Sequence, residues 1–454
     1  MIIRVIIKNL FSFKDYTEFN MLPGRSTRMP HHLYETGSIS VLKLNALYGA
    51  NGAGKSNLIK SLDLLRSFVT EGHLPIEFIT EVFKFDAESR KKDVYLGVEF
   101  IKDGTPFYYG ITINQGIVVE EELQISGLGK KDDVTLFLRT NSVHEKQLSL
   151  SFHEDVMKDK EAALYPSFLQ NEVLERNEPV LYYLRNRKNK VFDHYKRAFD
   201  WFDRNLVIIL PTYSPGLLAL RLEGDDHFNA FTKDIMRSFK TGIREIAIVK
   251  MPIEEYFGED DKEEAERIIS ELRANPLATA KANRTPVEEI LFVLEDGKVY
   301  VKRLCFLHEE DNGANRFSAA EESDGTRRLL EYIPALYGAI YSPKVYLIDE
   351  IERSLHPLLI KELARKFSQD TKTKGQLIFT THESNLLDQD IFRSDEIWFA
   401  EKKADGATEL YALSEFKEHH TLDIRKGYLN GRYGAIPFMG NLRDLKWDTY
   451  AEAR

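Results

Sequence analysis

The stretch Leu44–Ser56, reading L-N-A-L-Y-G-A-N-G-A-G-K-S, constrains the fold of this chain more than any other. Leu44, Ala46, Leu47 and Tyr48 form a short apolar run that ends in a glycine-rich loop. Gly49-Ala50-Asn51-Gly52-Ala53-Gly54-Lys55-Ser56 meets every fixed position of G-x-x-x-x-G-K-[ST]. The glycines let the backbone wrap so that its N–H groups point at one anion, and a helix N-terminus directly after the loop adds its dipole. Leu58, Ile59, Leu62, Leu65 and Val69 recur at the spacing of that helix. The reading is a strand–loop–helix unit that takes a nucleoside triphosphate. Gly49, Asn51, Gly52, Gly54 and Asn57 belong to its phosphate cradle, Lys55 sits between the β- and γ-phosphates, and the Ser56 hydroxyl is a ligand for Mg²⁺.

A length of 454 residues admits about three domain-sized units, or one large domain carrying an insertion. With 43% hydrophobic and 30% charged residues, the composition is that of a soluble globular chain able to bury a large core. The formal net charge of −10 argues against a wholly basic nucleic-acid coat but leaves room for a local basic patch. Cys305 is the only cysteine, so no intrachain disulfide and no cysteine-built zinc site can form, which suits a reducing cytoplasm. The opening M-I-I-R-V-I-I-K-N-L is interrupted by Arg4 and Lys8 and lacks a small-residue cleavage site, unlike a signal peptide. Nowhere do 18 apolar residues run uninterrupted, so no spanning helix and no membrane partner are expected.

Taken in order, Ile2–Ile7 and Thr17–Met21 read as β segments around a turn at Ser12–Tyr16. Val94–Phe100, Phe107–Ile113 and Ile117–Gln124 continue as antiparallel hairpins beside the nucleotide, with turn residues between them. From about Phe152 to Asp203 the period becomes helical. Arg185, Arg187, Lys188, Lys190, Lys196 and Arg197 form the most basic segment, interleaved with Tyr182, Tyr183, Phe192 and Tyr195. Either this is a nucleic-acid surface, or it is a solvated helix whose aromatics face the core. Glu254–Glu271 is acidic, with Glu259-Asp260-Asp261 and Glu263-Glu264, and reads as an exposed helix or loop that could serve as a docking surface. Val287–Leu294 and Val299–Leu304 flank Asp296-Gly297, a two-residue hairpin signal. No internal repeat and no sustained heptad pattern is evident. The expected division is 1–150, 151–285 and 286–454: two parts of one α/β head, split by a compact, mainly helical insertion.

Val345-Tyr346-Leu347-Ile348-Asp349-Glu350 is a buried-strand run ending in two carboxylates. An aspartate at the end of a strand beside the phosphate loop can hold Mg²⁺ through water, and a following glutamate can polarise a water for in-line attack. Gly375–His382 is another buried run ending in a polar residue, and His382 there could reach the γ-phosphate. Glu322-Ser323-Asp324-Gly325-Thr326 precedes a helical period from Arg328 to Ile340, a second anion-binding turn at a helix N-terminus. One loop already cradles the phosphates, so Ser323 and Gly325 are matched to the nucleotide of a second subunit.

The ordered set G-A-N-G-A-G-K-S, E-S-D-G-T, L-I-D-E and T-T-H resembles the ATP-binding-cassette ATPases: Walker A, signature, Walker B and switch histidine. The soluble branch containing the SMC, RecF and OLD proteins is similar. More narrowly, E-S-D-G-T-R-R-L-L, I-D-E-I-E-R-S-L-H-P and L-N-G-R-Y-G-A-I-P resemble the AAA15-type ATPases of bacterial anti-phage loci, such as the RloA/AbiL-type pairs and the AriA subunit of PARIS. The resemblance implies an ABC-type P-loop head with a mixed sheet core and an antiparallel β-subdomain, and implies ATP and Mg²⁺ as cofactors. Asp349 would support the metal, Glu350 would be the catalytic base, His382 the γ-phosphate sensor, and Ser323 with Gly325 the signature acting in trans. Glu352–His356 would be the D-loop crossing an ATP-dependent dimer, itself a possible unit of a higher homo-oligomer. The signature lacks the Leu-Ser-Gly-Gly-Gln form of transporters, as the soluble branch does. Among Gln115, Gln124, Gln147 and Gln170, the Q-loop glutamine is assigned by preference to Gln170. About 70 residues follow His382, too few for a TOPRIM nuclease, so a toxic effector is expected to be a separate protein. The competing expectation is a DNA-maintenance ATPase that clamps nucleic acid through the basic stripe.

Overall fold

A computed structural model describes residues 1–37, 39–143, 148–213, 217–258, 261–275, 280–282, 290–308, 316–416 and 423–436. The chain forms two compact units. The first comprises Met1–Leu210, Ser342–Glu352 and the residues from Ile360 onward, and the second Pro211–Tyr341 with Arg353–Leu359.

The first unit is α/β and holds two sheets. Its six-stranded sheet runs in the order Leu206–Ile209, Val345–Ile348, Gln376–Thr381, Leu44–Tyr48, Ile397–Lys402, Thr408–Ala412. All neighbours are parallel except the last pair, which is antiparallel. Strands buried on both faces read as continuous apolar runs, and Leu44–Tyr48, Val345–Ile348 and Gln376–Thr381 are buried at every position. The helix Lys55–Glu71 follows the first of these in sequence, buries Leu58, Ile59, Leu62, Leu65, Phe68 and Val69, and stops at Gly72 in the left-handed region (φ 81°).

The seven-stranded sheet runs in the order Leu148–Phe152, Val134–Asn141, Ile117–Ile125, Thr105–Asn114, Val94–Lys102, Ile2–Lys8, Thr17–Asn20, antiparallel throughout. Its tight turns fall at Asp103-Gly104 (φ 49° and 76°) and Gln115-Gly116 (φ 49° and 79°), paired positive φ values that match the twist of a two-residue hairpin. Gln115 is therefore a turn residue. Gln376 fastens the N-terminal strand to the parallel sheet: its Oε1 accepts from Ile2 N at 2.7 Å, and its Nε2 donates to Ile2 O at 3.1 Å and Leu42 O at 2.9 Å.

Helical structure over 154–205 joins this unit's core, in one cluster with both sheets and with Lys55–Glu71. Trp201 stacks on Phe100 at 4.1 Å. The change of period near Phe152 thus marks a change of secondary structure within one packed body. Phe192 and Tyr195 are buried, whereas Arg187, Lys188, Lys190 and Arg197 are exposed and Arg185 lies over the Tyr182 ring at 3.4 Å. A buried pair locks the helical stretch to the sheet. Arg139 and Glu121, both wholly buried, lie 3.4 Å apart. The Arg139 guanidinium donates to Glu175 O at 2.8 Å and to Glu178 O, while Glu121 accepts from Val180 N at 3.0 Å and Tyr109 Oη at 2.9 Å.

In the second unit the helix Asp226–Ser238 packs on Asp324–Tyr341 through Phe228 and Phe231 against Tyr337. A five-stranded antiparallel sheet holds Ile243–Pro252, Lys298–His308, Ile290–Glu295 and Ala280–Ala282 in that order, with Phe317–Ser318 paired to Lys298–His308. Asp296-Gly297 (φ 48° and 78°) makes the expected hairpin turn, although residues 287–289 lie outside the described residues. The strand Ile243–Pro252 has no counterpart in the sequence reading. Glu259 and Asp260 of the acidic run lie outside the described residues, and Glu263 and Glu264 stand exposed in the first turn of the helix Lys262–Ala274, where negative charge complements the helix dipole. Among the described residues no helix is long and apolar enough to cross a membrane.

Removing Arg139 strands the Glu121 carboxylate in the core. Arg139→Ala should lower stability by about 3–5 kcal/mol in urea titrations, and a loss of about 1 kcal/mol or less would show that the pair is not the lock described.

Candidate functional site

The phosphate loop owes its shape to close backbone packing. Gly52 and Gly54 take φ of 78° and 101°, conformations open to glycine at little cost. A Cβ on Gly49 would meet Ala400 O at 2.5 Å, and one on Gly54 would run into Thr408 Oγ and lie 2.6 Å from Ser12 Oγ. Thr408 Oγ donates to Ala53 O at 2.8 Å, and Asn57 Nδ2 donates to Ser12 Oγ at 2.8 Å. The loop is thereby clamped from outside by two hydroxyls that no motif announces. Asn51 and Gly52 are exposed at its tip.

Lys55 begins the helix with its ammonium turned back into the loop, donating to Gly49 O at 2.7 Å and Ala50 O at 3.0 Å. Burial lowers its pKa from the ordinary lysine value, opposed by the carboxylates of Glu352, Asp349 and Glu350. The neighbouring carboxylates favour the charged form, so the group that the loop carbonyls hold is an ammonium.

The parallel register brings the strand ends together. Ser56 Oγ donates to Asp349 Oδ1 at 2.9 Å across 293 residues of sequence, and Thr380 Oγ donates to the same oxygen at 2.6 Å. Thr380 Oγ also accepts from Glu350 N at 2.8 Å, and Glu350 sits at φ 53°. Thr380 was not singled out in the sequence, although it lies in the T-T-H run. Among the described residues, no group of three or more His, Cys, Asp or Glu side chains is placed to hold a metal by itself. The hydroxyl–carboxylate pair Ser56–Asp349 fits a hard divalent cation that draws its other ligands from phosphate and water, as Mg²⁺ does.

His382 follows the next strand and is half-exposed, with Nδ1 2.6 Å from Glu352 Oε1. Ser323 and Gly325 belong to the second unit. Ser323 Oγ accepts from Thr326 N at 3.1 Å, capping the helix Asp324–Tyr341, and a Cβ on Gly325 would meet Ser354 O at 2.8 Å. Of the four glutamines, Gln170 Oε1 accepts from Leu150 N at 3.0 Å, Gln124 donates to Glu122 at 2.7 Å, and Gln147 lies outside the described residues.

A family model described as "AAA domain, putative AbiEii toxin, Type IV TA system" matches residues 44–388. Among solved structures, the chain is similar to an SMC head bound to the C-winged helix domain of ScpA, with a TM-score of 0.39 and 13% identity over 90% of this chain and 97% of that one. It is also similar to the SMC head domain from Thermotoga maritima, with a TM-score of 0.36 and 11% identity over 90% and 98%. A third similar structure is the Smc head domain with an extended coiled coil bound to the C-terminal domain of ScpA, from Pyrococcus furiosus, with a TM-score of 0.41 and 12% identity over 95% and 98%. No curated protein matches the sequence.

The loop packing sets apart two substitutions of one type. Gly52→Ala, whose Cβ meets nothing within 4 Å, should cost only the left-handed backbone term of about 1–2 kcal/mol. Gly54→Ala adds the collision with Thr408 and Ser12 and should lose more in the same urea titration. Equal losses would mean that the clamp yields freely.

Proposed function

Because the chain belongs to the AAA_21 family of AAA domains, we propose that it binds and hydrolyses ATP with Mg²⁺ as the sensor and regulatory ATPase of an anti-phage defence system, controlling a separate toxic effector. The observation that carries the ATPase reading is the convergence of Ser56 and Thr380 on one oxygen of Asp349, with Glu350 the next residue. The family description, which names a type IV toxin–antitoxin system, supports the defence reading.

In this reading the Lys55 ammonium leaves its loop carbonyls for the β- and γ-phosphate oxygens. Ser56 and Asp349 hold the metal, whose charge, when bound, offsets that of the phosphates. Glu350 takes a proton from the attacking water, with its main chain pinned by Thr380. His382 reads the terminal phosphate. Ser323, by capping its helix, and Gly325, by letting the turn pack closely, present a helix N-terminus to the nucleotide of a second copy, so that ATP closes two heads and hydrolysis reopens them.

Lys55→Ala should abolish nucleotide binding. Glu350→Gln should lower turnover by about 10²–10⁴-fold and hold a dimer in ATP and Mg²⁺, measured by light scattering. A Glu350→Gln protein that stays monomeric would sink the dimer.

A second reading, nucleic-acid clamping, draws on the exposure of Arg187, Lys188, Lys190 and Arg197. It calls for duplex binding that weakens steeply with salt and is lost on charge reversal of those four residues while ATP turnover survives. Purifying tagged Glu350→Gln protein from its native host separates the two. A stoichiometric protein released on hydrolysis supports the effector, and nuclease-sensitive nucleic acid without a protein partner supports the clamp.

A further inference from the structure

Three carboxylates follow the strand Val345–Ile348, and Glu352 has no assigned task in hydrolysis. Its Oε1 accepts from the main-chain N–H of His382 at 2.8 Å and lies 2.6 Å from the ring Nδ1. Both the backbone and the imidazole of His382 thus rest on one oxygen. A carboxylate can only accept there, so Nδ1 carries a proton and Nε2 is left facing away from Glu352. The His382 side chain is 54% exposed, so surrounding packing does not set its ring angle. The neighbouring carboxylate, Glu383, is taken up by Asn385, accepting from its main-chain N at 2.9 Å and its Nδ2 at 2.6 Å.

Stability does not account for Glu352. Its side chain is only 8% exposed, and its second oxygen, Oε2, is buried without a hydrogen-bond partner, as is the hydroxyl of Tyr48 at the end of the loop strand. A buried carboxylate with one unsatisfied oxygen costs folding free energy, and apolar replacements of similar volume are often neutral or stabilising. Such a group persists for what it holds in place.

We propose that Glu352 is a positioning residue, which fixes the tautomer and orientation of His382 so that Nε2 is the atom presented to the terminal phosphate. This rests on the ATPase reading above. Glu352→Met removes the acceptor at similar volume, whereas Glu352→Gln keeps a weaker, neutral acceptor. Turnover should therefore fall in the order wild type, Gln, Met, by about 10–100-fold at the Met end, the loss that follows when the acceptor orienting a metal-bound histidine is removed. KM for ATP should stay within about twofold, and the thermal midpoint should be unchanged or raised. In a His382→Ala background the Glu352→Met loss should vanish. An equal loss in that background would overturn the proposal, as would a fall in thermal midpoint matching the fall in rate. Nitrogen NMR of labelled His382 gives a readout that does not depend on turnover: Nδ1 should be protonated in the wild type and the preference lost in Glu352→Met. A wild-type ring protonated at Nε2 alone would overturn the proposal even if neither variant folds. Wild-type protein that shows this tautomer but never hydrolyses ATP would instead refute the ATPase reading.

Discussion

The parallel alignment of Val345–Ile348, Gln376–Thr381 and Leu44–Tyr48 is the constraint on which the site depends. Ile348 lies opposite Phe379 and Thr381 opposite Tyr48, so the three strands discharge their next residues at one edge of the sheet. Ligands of open α/β sheets collect at that edge, because loops leaving the strands there converge and helix N-termini point at it. Asp349 can meet Ser56 and Thr380 only while this register holds. A shift of one residue would turn every side chain of the slipped strand to the other face and dissolve the cluster.

Once the register is set, partners distinguish the acids. Asp349 receives two hydroxyls, Glu350 is fixed through its main chain, and Glu352 engages an imidazole. Residues of like chemistry, close in sequence, thus take different partners. The left-handed conformation of Glu350 is part of that divergence. Elsewhere, charge serves the fold: Arg139 and Glu121 carry a full ion pair into the core, where main-chain carbonyls on one side and a main-chain amide and the Tyr109 hydroxyl on the other add to what the two charges give each other.

Much of this was legible in the sequence wherever the signal was local. The loop Gly49–Ser56, the paired acids Asp349 and Glu350, and the Asp296-Gly297 turn each need particular residues at fixed spacing for a steric or chemical reason. What escaped was set by strand order. Ser12 and Thr408 clamp the loop, Thr380 bridges two acids and Gln376 ties the N-terminal strand, yet each is an ordinary residue until distant strands bring it there. The strand Ile243–Pro252 escaped for another reason. Its residues alternate weakly, with several half-buried positions in succession, so no clean period of two is present to read. The helical character of 154–205 was legible, but its membership of the first unit's core was not, since periodicity tells which face is apolar and not what covers it.

The strand order also has a consequence during synthesis. Leu44–Tyr48 is made early, but its neighbours in the sheet are Gln376–Thr381 and Ile397–Lys402. At roughly 5–20 residues per second, about 20–70 s pass between the phosphate loop leaving the ribosome and its second neighbour following. For that interval the nascent chain displays the motif without the surface that shapes it, and it must keep an apolar strand from pairing wrongly. A ribosome stalled before residue 397 therefore holds a protein with the phosphate-loop sequence but without one of the two strands that flank Leu44–Tyr48 in the sheet.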